Sequence, residues 1–191
     1  MAARGRPRAF DRSAALERAM QVFWAKGYEA TQLADLTAAM GINPPSFYAA
    51  FGSKAALYAR TLARYTGTEG IPLAEILRPG RPIAEALATV LEEAARRYAA
   101  DPAAAGCLVL EGVRCDDQGA RQAALAYNLA AEGVIRDYVA ARCPKQAEQL
   151  TDFVSTTMSG LSAKARTGHG VDQLLATARL ASLALTRTAE A

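Results

Sequence analysis

The sequence predicts an all-α protein with a small N-terminal head and a larger helical domain behind it. Apolar residues recur three and four positions apart through most of the chain, and no segment shows the strict alternation of a β-strand. Glycine and proline interrupt these runs, most densely over residues 67–82. We therefore expect about nine helices, divided among a basic arm (1–10), the head (11–60) and a second domain (61–191).

The first predicted helix extends from about Asp11 to Lys26, and Gly27 ends it. Its apolar residues recur at helical spacing and mark the face that packs inward: Leu16, Ala19, Met20 and Phe23. The side-chain oxygen of Thr31 stands just before the next apolar run. Thr31 is therefore the expected N-cap of a second helix, which ends near Met40.

A sharp turn and a third helix follow. Gly41 can adopt the left-handed backbone conformation that ends a helix, because it has no Cβ. Asn43 can cap the next helix with its side chain. Pro44 and Pro45 suit the first turn of that helix, where a backbone N–H has no intrahelical acceptor.

The third helix has two predicted faces. Phe47, Ala50 and Phe51 fall three and four positions apart and should pack inward. The side chains left to face outward are Ser46, Tyr48 and Ala49. Ser53 is the expected N-cap of a fourth helix, which covers residues 54 to about 66.

Two short helices joined by a glycine turn, with a capped helix after them, are typical of a helix-turn-helix DNA-binding unit. Over residues 10–60 the chain resembles the TetR family of one-component transcriptional regulators. The positions that carry this resemblance are Phe23, Gly27, Tyr28, Thr31, Gly41 and the segment FYAAFGSKAAL. The resemblance implies that the third helix enters the major groove of DNA and that Thr31, Tyr48 and Lys54 hold phosphates.

Base contacts are expected from the start of the third helix. Asn43, Ser46 and Tyr48 are the candidates for direct contacts with bases. Pro44 and Pro45 belong to the same DNA-facing turn but depart from the small or basic residues that relatives often carry there. The departure shifts the expected base contacts to the other three residues.

Charge separates the two domains. Residues 1–60 carry eight Lys or Arg against four Asp or Glu, a net charge of +4, whereas residues 61–191 carry 14 against 15, a net charge of −1. Arginines cluster in and beside the arm, which Gly5 and Pro7 interrupt: Arg4, Arg6, Arg8 and Arg12. Such an arm suits contacts with phosphates or the minor groove, and a solubilising tail is the alternative.

Within the second domain, the predicted helices follow the connector at residues 67–82. Its predicted helices cover about 83–100, 103–115, 118–142, 145–167 and 171–188. The TetR resemblance is weaker here and implies a domain for ligand binding and dimerisation. A single recognition helix makes few contacts, so paired heads on a palindrome are expected. The last two helices are the expected homodimer interface, with packing inside the chain as the alternative. The apolar residues proposed for it are Phe153, Val154, Met158 and Leu161 on one helix and Leu174, Leu175, Ala178 and Leu183 on the other.

Gly106-Cys107-Leu108 is expected near the start of the helix at 103–115. The positive end of a helix dipole would lower the pKa of a thiol in its first turn. The segment GCLVLEGVRCDD resembles a stretch of TetR-type regulators that respond to electrophiles and oxidants. That resemblance implies a reactive Cys107 with Lys164 as its partner; a buried core thiol is the alternative.

Composition and motifs argue against several other classes of protein: membrane proteins, disulfide-rich proteins, metalloproteins and enzymes. The apolar stretches are broken by charge too often to provide the ~20-residue span that a bilayer requires. Three cysteines form no disulfide framework, which favours a reducing cytoplasm. Cys107 and Cys115 would lie roughly 12 Å apart along one helix, too far for a disulfide bond between them. The only histidine, His169, has no partner at zinc-binding spacing, and no catalytic motif occurs. We expect no enzyme activity, metal or cofactor.

These observations favour a homodimeric transcriptional repressor that a small-molecule effector releases from a palindromic operator. Tyr127, Phe153 and Met158 are candidates for the lining of an effector cavity, with ordinary core packing as their alternative. Two other functions stay open. One is a thiol-based sensor that acts through Cys107, and the other is an architectural protein whose basic head binds DNA without sequence preference.

Overall fold

The computed structural model describes residues 11–189; the predicted arm residues Arg4, Arg6 and Arg8 lie outside this range. The described part of the chain is all-α, as predicted, and contains no strand. Its α-helical segments are α1 (Arg12–Lys26), α2 (Leu33–Met40), α3 (Pro44–Phe51), α4 (Lys54–Thr68), α5 (Leu73–Ile76), α6 (Ile83–Tyr98), α7 (Leu108–Gly112), α8 (Gln118–Ala140), α9 (Ala147–Arg166) and α10 (Val171–Ala189). Two 3-10 turns, Pro102–Ala104 and Pro144–Gln146, precede α7 and α9.

The caps of the head form largely as predicted. Asn43 Oδ1 accepts a hydrogen bond from the Ser46 N–H at 2.9 Å, and Ser53 Oγ accepts one from the Ala56 N–H at 3.0 Å. Gly41 has a φ of +68°, in the left-handed region that glycine adopts without strain. The caps satisfy N–H groups that lack intrahelical acceptors, so α2, α3 and α4 begin and end at defined residues.

Thr31 is not the N-cap of α2, and that prediction was wrong. Its side chain is 0 % exposed, and its Oγ1 donates a hydrogen bond to the Gly27 carbonyl at 2.6 Å. Gln32 is the N-cap residue instead, and the Asp35 carboxylate accepts a hydrogen bond from its N–H at 2.9 Å. The buried Thr31 hydroxyl therefore closes the turn between α1 and α2.

The region predicted as one helix over 103–115 is the largest departure from expectation. A 3-10 turn is followed by Gly106, whose φ is +79°, and Cys107 then serves as the N-cap of the short helix α7. The Gly106 N–H donates to the Tyr98 carbonyl at 2.8 Å, so the chain folds back onto the end of α6. Because the helical spacing of apolar residues continues on both sides of this break, periodicity alone did not predict where the helix is interrupted.

A continuous apolar core connects the head with the second domain. In the head, the ring of Phe23 packs edge-on against Tyr58 of α4, with centroids 5.0 Å apart. In the second domain, α6 packs against both α9 and α10, and α8 packs against α4, α7 and α9. Within residues 11–189, no helix is long and apolar enough to cross a membrane. The same part of the chain contains no cluster of three or more potential metal ligands.

Candidate nucleic-acid interface

The outer face of α3 is the first component of the candidate interface. Tyr48 is 54 % exposed, while Phe47 and Phe51 are buried on the opposite face. This division confirms the predicted faces of the helix. The other predicted DNA-contacting residues at the start of α3 are also exposed: Asn43, Pro44, Pro45 and Ser46.

Two arginines hold the C-terminal end of α3. The Arg12 guanidinium, from the first residue of α1, donates to the Ala50 carbonyl at 3.0 Å. The Arg60 guanidinium, from α4, donates to the same carbonyl at 3.3 Å. Because the last carbonyls of a helix lack intrahelical donors, these bonds tie α3 to its two neighbours. Arg12, which the sequence associated with the arm, therefore helps to position α3.

Lys54 begins α4 beside an aromatic ring. Its Nζ lies 4.2 Å from the centroid of the Tyr28 ring, within range of a cation–π interaction. The free N–H groups of the first turn of α4 add partial positive charge at the same end. Ammonium and helix terminus together form a positive site on the flank of α3.

The head is attached to the start of α8 by a polar cluster. The Glu29 carboxylate accepts hydrogen bonds from the N–H groups of Asp116 and Asp117, at 2.8 and 3.3 Å. Asp117 also caps α8 by accepting a bond from the Ala120 N–H at 2.8 Å, which lowers the pKa of its carboxyl group. Burial, followed by the nearby Asp117 charge, raises the pKa of Tyr28 well above its ordinary value.

A second attachment joins α1 to the segment before α7. Trp24 Nε1 donates to the Gly106 carbonyl at 3.0 Å, and the Trp24 ring packs edge-on against Tyr65 with centroids 4.9 Å apart. Arg166 of α9 donates to the Trp24 carbonyl at 3.3 Å, and its Nε lies 3.3 Å from the Glu111 carboxylate. A movement of this segment would therefore move α1 directly.

A cavity of about 280 Å³ lies directly behind this attachment. It is lined by residues of α4 to α9 and opens to solvent beside Val134, which is 45 % exposed; Tyr65 and Tyr98 form part of its wall. Of the three predicted cavity residues, Tyr127 and Met158 line it. Phe153 does not, because its side chain lies on the other side of α9.

A more open groove of about 510 Å³ runs between α9 and α10. Phe153 and Leu180 line it and are 36 % and 68 % exposed, and Leu183 on α10 is also exposed. Lys164 and His169 lie at its polar end. The groove and the exposed apolar residues beside it form a surface that we call the α9–α10 face.

The predicted pairing of Cys107 with Lys164 is not supported, because the two residues line different cavities. Cys107 is 8 % exposed, and its N–H donates to Ser162 Oγ at 2.9 Å. Together with Tyr65 and Tyr98, it lines the 280 Å³ cavity. Cys107 is therefore a wall residue of the 280 Å³ cavity rather than a thiol at an electropositive surface.

Local sequence patterns did not identify the residues that join the two domains. Trp24 stands next to the periodic residue Phe23, so a helical wheel shows only that it borders the buried face. Glu29 lies in a turn where a carboxylate has no local signal of a distant partner. Trp24 forms a hydrogen bond with Gly106 and Glu29 forms one with Asp116, and each pair is more than 80 positions apart in the sequence. Local patterns do not reveal partners at that distance.

Comparisons with known proteins agree with this geometry. A family model described as bacterial regulatory proteins, tetR family, matches residues 15–61. The chain is 54% identical over 181 residues to the HTH-type transcriptional repressor BdcR of Escherichia coli (strain K12), covering 95% of this chain and 92% of that protein. It is 30% identical over 185 residues to the HTH-type transcriptional repressor ComR of the same organism, covering 90% and 87%.

A solved structure shows the same arrangement. A cysteine mutant of the TetR family transcriptional regulator CifR, complexed with 26-base-pair double-strand operator DNA, matches with a TM-score of 0.84 at 37% sequence identity. The match covers 94% of this chain and 99% of that one. The similarity therefore extends across the head and the second domain together.

Proposed function

The chain belongs to the TetR family of bacterial regulatory proteins, and we propose that it is a homodimeric repressor that a small molecule releases from a palindromic operator. The family consists of transcriptional regulators, not enzymes. The repressor role is supported by the similarity to BdcR and ComR, which are both named as repressors. The observation that carries the proposal is the exposed face of α3 on a head held by contacts to α1 and α4.

Operator recognition is assigned to α3 and the start of α4. Asn43 and Ser46 stand at the exposed N-terminal turn of α3, where a recognition helix reaches base edges in the major groove. Tyr48 and Lys54 flank that turn and provide a hydroxyl and an ammonium group for phosphates. The similarity to CifR, whose solved structure contains operator DNA, supports this division.

Dimerisation is assigned to the α9–α10 face. Leu180 and Leu183 are 68 % and 62 % exposed, and large apolar residues that cluster on a surface favour burial against a partner. A second copy of the chain is the expected partner, because a palindromic operator requires two heads related by a twofold axis. A stable dimer would bury more than about 1,000 Å² in total there.

Release by an effector is supported by the position of α4. Its first residue, Lys54, belongs to the proposed DNA-binding surface, and Tyr65 near its other end lines the 280 Å³ cavity. A helix of 15 residues spans about 22 Å and moves as a rigid element. An effector that favours one orientation of α4 must change operator affinity, and operator must change effector affinity by the same factor.

The first test measures the fluorescence anisotropy of labelled DNA from the intergenic region beside the gene for this protein, with excess random duplex as competitor. We expect tight binding that random DNA does not compete away. The affinity of a regulator for its specific site usually exceeds its affinity for random DNA by about 10³-fold or more. Equal affinity for both duplexes, with a steep salt dependence, would contradict the proposal and favour the architectural alternative.

Variants of the head refine that test. Lys54→Ala should weaken binding to all sequences and reduce the slope of log affinity against log salt by about one, because one phosphate contact is lost. Lys145→Ala, at an exposed position on the second domain, is the matched control and should leave the slope unchanged. Substitutions of Asn43 or Ser46 should alter sequence preference, and an unchanged preference would refute their assignment to base contacts.

A further inference from the structure

The 280 Å³ cavity has an uncharged wall. Of the residues that the structure places along it, none is Lys, Arg, His, Asp or Glu. The Glu132 carboxylate accepts a hydrogen bond from the amide of the lining residue Asn128 at 3.0 Å but does not itself line the cavity. A charged ligand would lose its hydration here without meeting an opposite charge, which carries a large free-energy penalty.

Two buried tyrosines, Tyr65 and Tyr98, belong to the polar part of the wall, which also includes Thr66, Tyr127 and Asn128. Tyr65 and Tyr98 are 4 % and 2 % exposed, and Cys107 lines the same cavity. Burial, and then the neighbouring thiol, raises the pKa of both tyrosines well above the ordinary value. Both hydroxyls therefore stay protonated and are available as hydrogen-bond donors at neutral pH.

The remaining wall is apolar and small in extent. Val109, Leu110 and Val134 contribute aliphatic surface, and Ala131 leaves space on the α8 side. A volume of about 280 Å³ is near the lower end of the ~300–1,000 Å³ range of small-molecule sites. Compared with a 150 Å³ cavity that holds benzene, it suits a ligand of about ten to twelve non-hydrogen atoms.

We propose that this cavity binds a small uncharged molecule with an apolar body and one oxygen acceptor, which receives a hydrogen bond from Tyr98 or Tyr65. The inference rests on the proposed function, in which this cavity holds the effector, and it adds the chemical class of that effector. Anionic ligands, such as acyl-coenzyme A thioesters or carboxylates, and cationic ligands are rejected by the uncharged wall.

Ligand binding is reported to the head by Trp24, the one tryptophan in the sequence. Its indole packs against Tyr65 of the cavity wall and donates to the carbonyl of Gly106, the residue before Cys107. A ligand that displaces Tyr65 or Cys107 therefore changes the surroundings of Trp24. The emission of this indole measures occupancy of the cavity without any DNA present.

The experiment titrates the full chain with two probes of similar shape and different charge, cyclohexyl methyl ketone and cyclohexanecarboxylate, at millimolar concentrations. Trp24 emission and calorimetry measure binding. We expect the ketone to bind and to change the emission, and the carboxylate to bind at least about tenfold more weakly. Cyclohexylmethylamine, which is cationic at neutral pH, should be rejected to a similar degree.

Variants locate the binding site. Ala131→Leu fills the cavity and should abolish ketone binding, whereas Ala126→Leu, on the exposed side of the same helix, should leave it unchanged. Tyr98→Phe removes one donor and should weaken ketone binding about fivefold, while binding of an alkane of the same shape stays the same. Circular dichroism of each variant checks that the helical fold is retained.

The outcomes separate this inference from the proposed function. Binding of the carboxylate as tight as that of the ketone, no binding of the ketone, or ketone binding that survives Ala131→Leu would each overturn the inference. Specific operator binding, measured separately, would then still support the proposed function. Selective ketone binding by a chain that shows no operator preference would sustain the cavity assignment and contradict the regulatory role.

Discussion

Thr31 illustrates how one residue can change its role once burial is known. Its position before α2 suggested a cap and a phosphate contact, but its hydroxyl is buried and bonded to the Gly27 carbonyl. A buried carbonyl that loses its donor costs about 1–3 kcal/mol. We therefore expect the position to contribute to the stability of the head more than to phosphate binding.

Thr31→Val tests this role, because valine keeps the shape and removes the hydroxyl. We expect urea denaturation to show a loss of about 1–2 kcal/mol in the free energy of unfolding. The salt dependence of operator binding should stay the same, since no phosphate contact disappears. Thr31→Ser, which keeps the hydroxyl, is the control; a reduced salt slope with unchanged stability would instead restore the phosphate role.

Cys115 shows how burial controls thiol chemistry at a single residue. The side chain is buried, and that burial, followed by the charge of Glu29, raises the pKa of the thiol to about 11. Only a small fraction is thiolate at neutral pH, and the thiolate is the nucleophile. Cys143 is half-buried and more accessible.

We expect iodoacetamide at neutral pH to alkylate Cys143 at least about tenfold faster than Cys115 in the folded chain. Mass spectrometry of peptides taken at successive times measures both rates. In urea the two rates should converge, because unfolding removes the burial. Equal rates in the native protein would show that the surroundings of Cys115 open readily.

At the scale of helices, the sequence predicted the head more accurately than the segment after α6. The head has local signals at each boundary, such as Asn43, Ser53 and Gly41, whose side chains or dihedral freedom act within three residues. The break at Gly106 depends on distant contacts with Trp24 and Ser162 instead. Only tertiary structure brings those partners together, so a local pattern could not reveal them.

Helix α7 is held in place by a close approach that only glycine permits. A Cβ on Gly112 would collide with the Tyr58 hydroxyl and come within 2.7 Å of Ala124 Cβ. The hydroxyl cannot withdraw freely, because it donates to the Leu108 carbonyl at 3.1 Å. Gly112 therefore sets the distance between α7 and its neighbours α4 and α8.

Gly112→Ala should destabilise the chain by about 1–3 kcal/mol, the usual cost of overpacking a well-packed core. Gly133→Ala on α8 is the matched control: its Cβ would meet no atom within 4 Å, and alanine is the better helix former. We expect that substitution to stabilise the chain by about 0.5–1 kcal/mol. Thermal and urea unfolding measure both, and similar effects at the two sites would contradict the close-approach argument.

At the scale of the whole molecule, periodicity identifies apolar faces but not their partners. Phe153 and Met158 both lie on α9 at apolar positions, and the sequence made both of them candidates for the cavity and for the dimer interface. In the structure Met158 lines the cavity, and Phe153 lies on the α9–α10 face. The sequence of such a helix does not show which apolar residues pack inside the chain and which form a surface for a second copy. Only the three-dimensional structure separates the two sets.

The α9–α10 face leads to the prediction with the widest consequence. Leu180→Arg places a charge at the centre of the exposed apolar surface, where dimerisation would bury it without a partner. We expect sedimentation velocity to show a monomer and operator affinity to fall at least about a hundredfold, because one head alone makes too few contacts. Leu125→Arg, at an exposed apolar position on α8, is the control and should keep both properties.

A dimer that persists in Leu180→Arg would show that the interface lies elsewhere on the molecule. A monomer that retains full operator affinity would show that a single head suffices, and the requirement for a palindrome would then be lost.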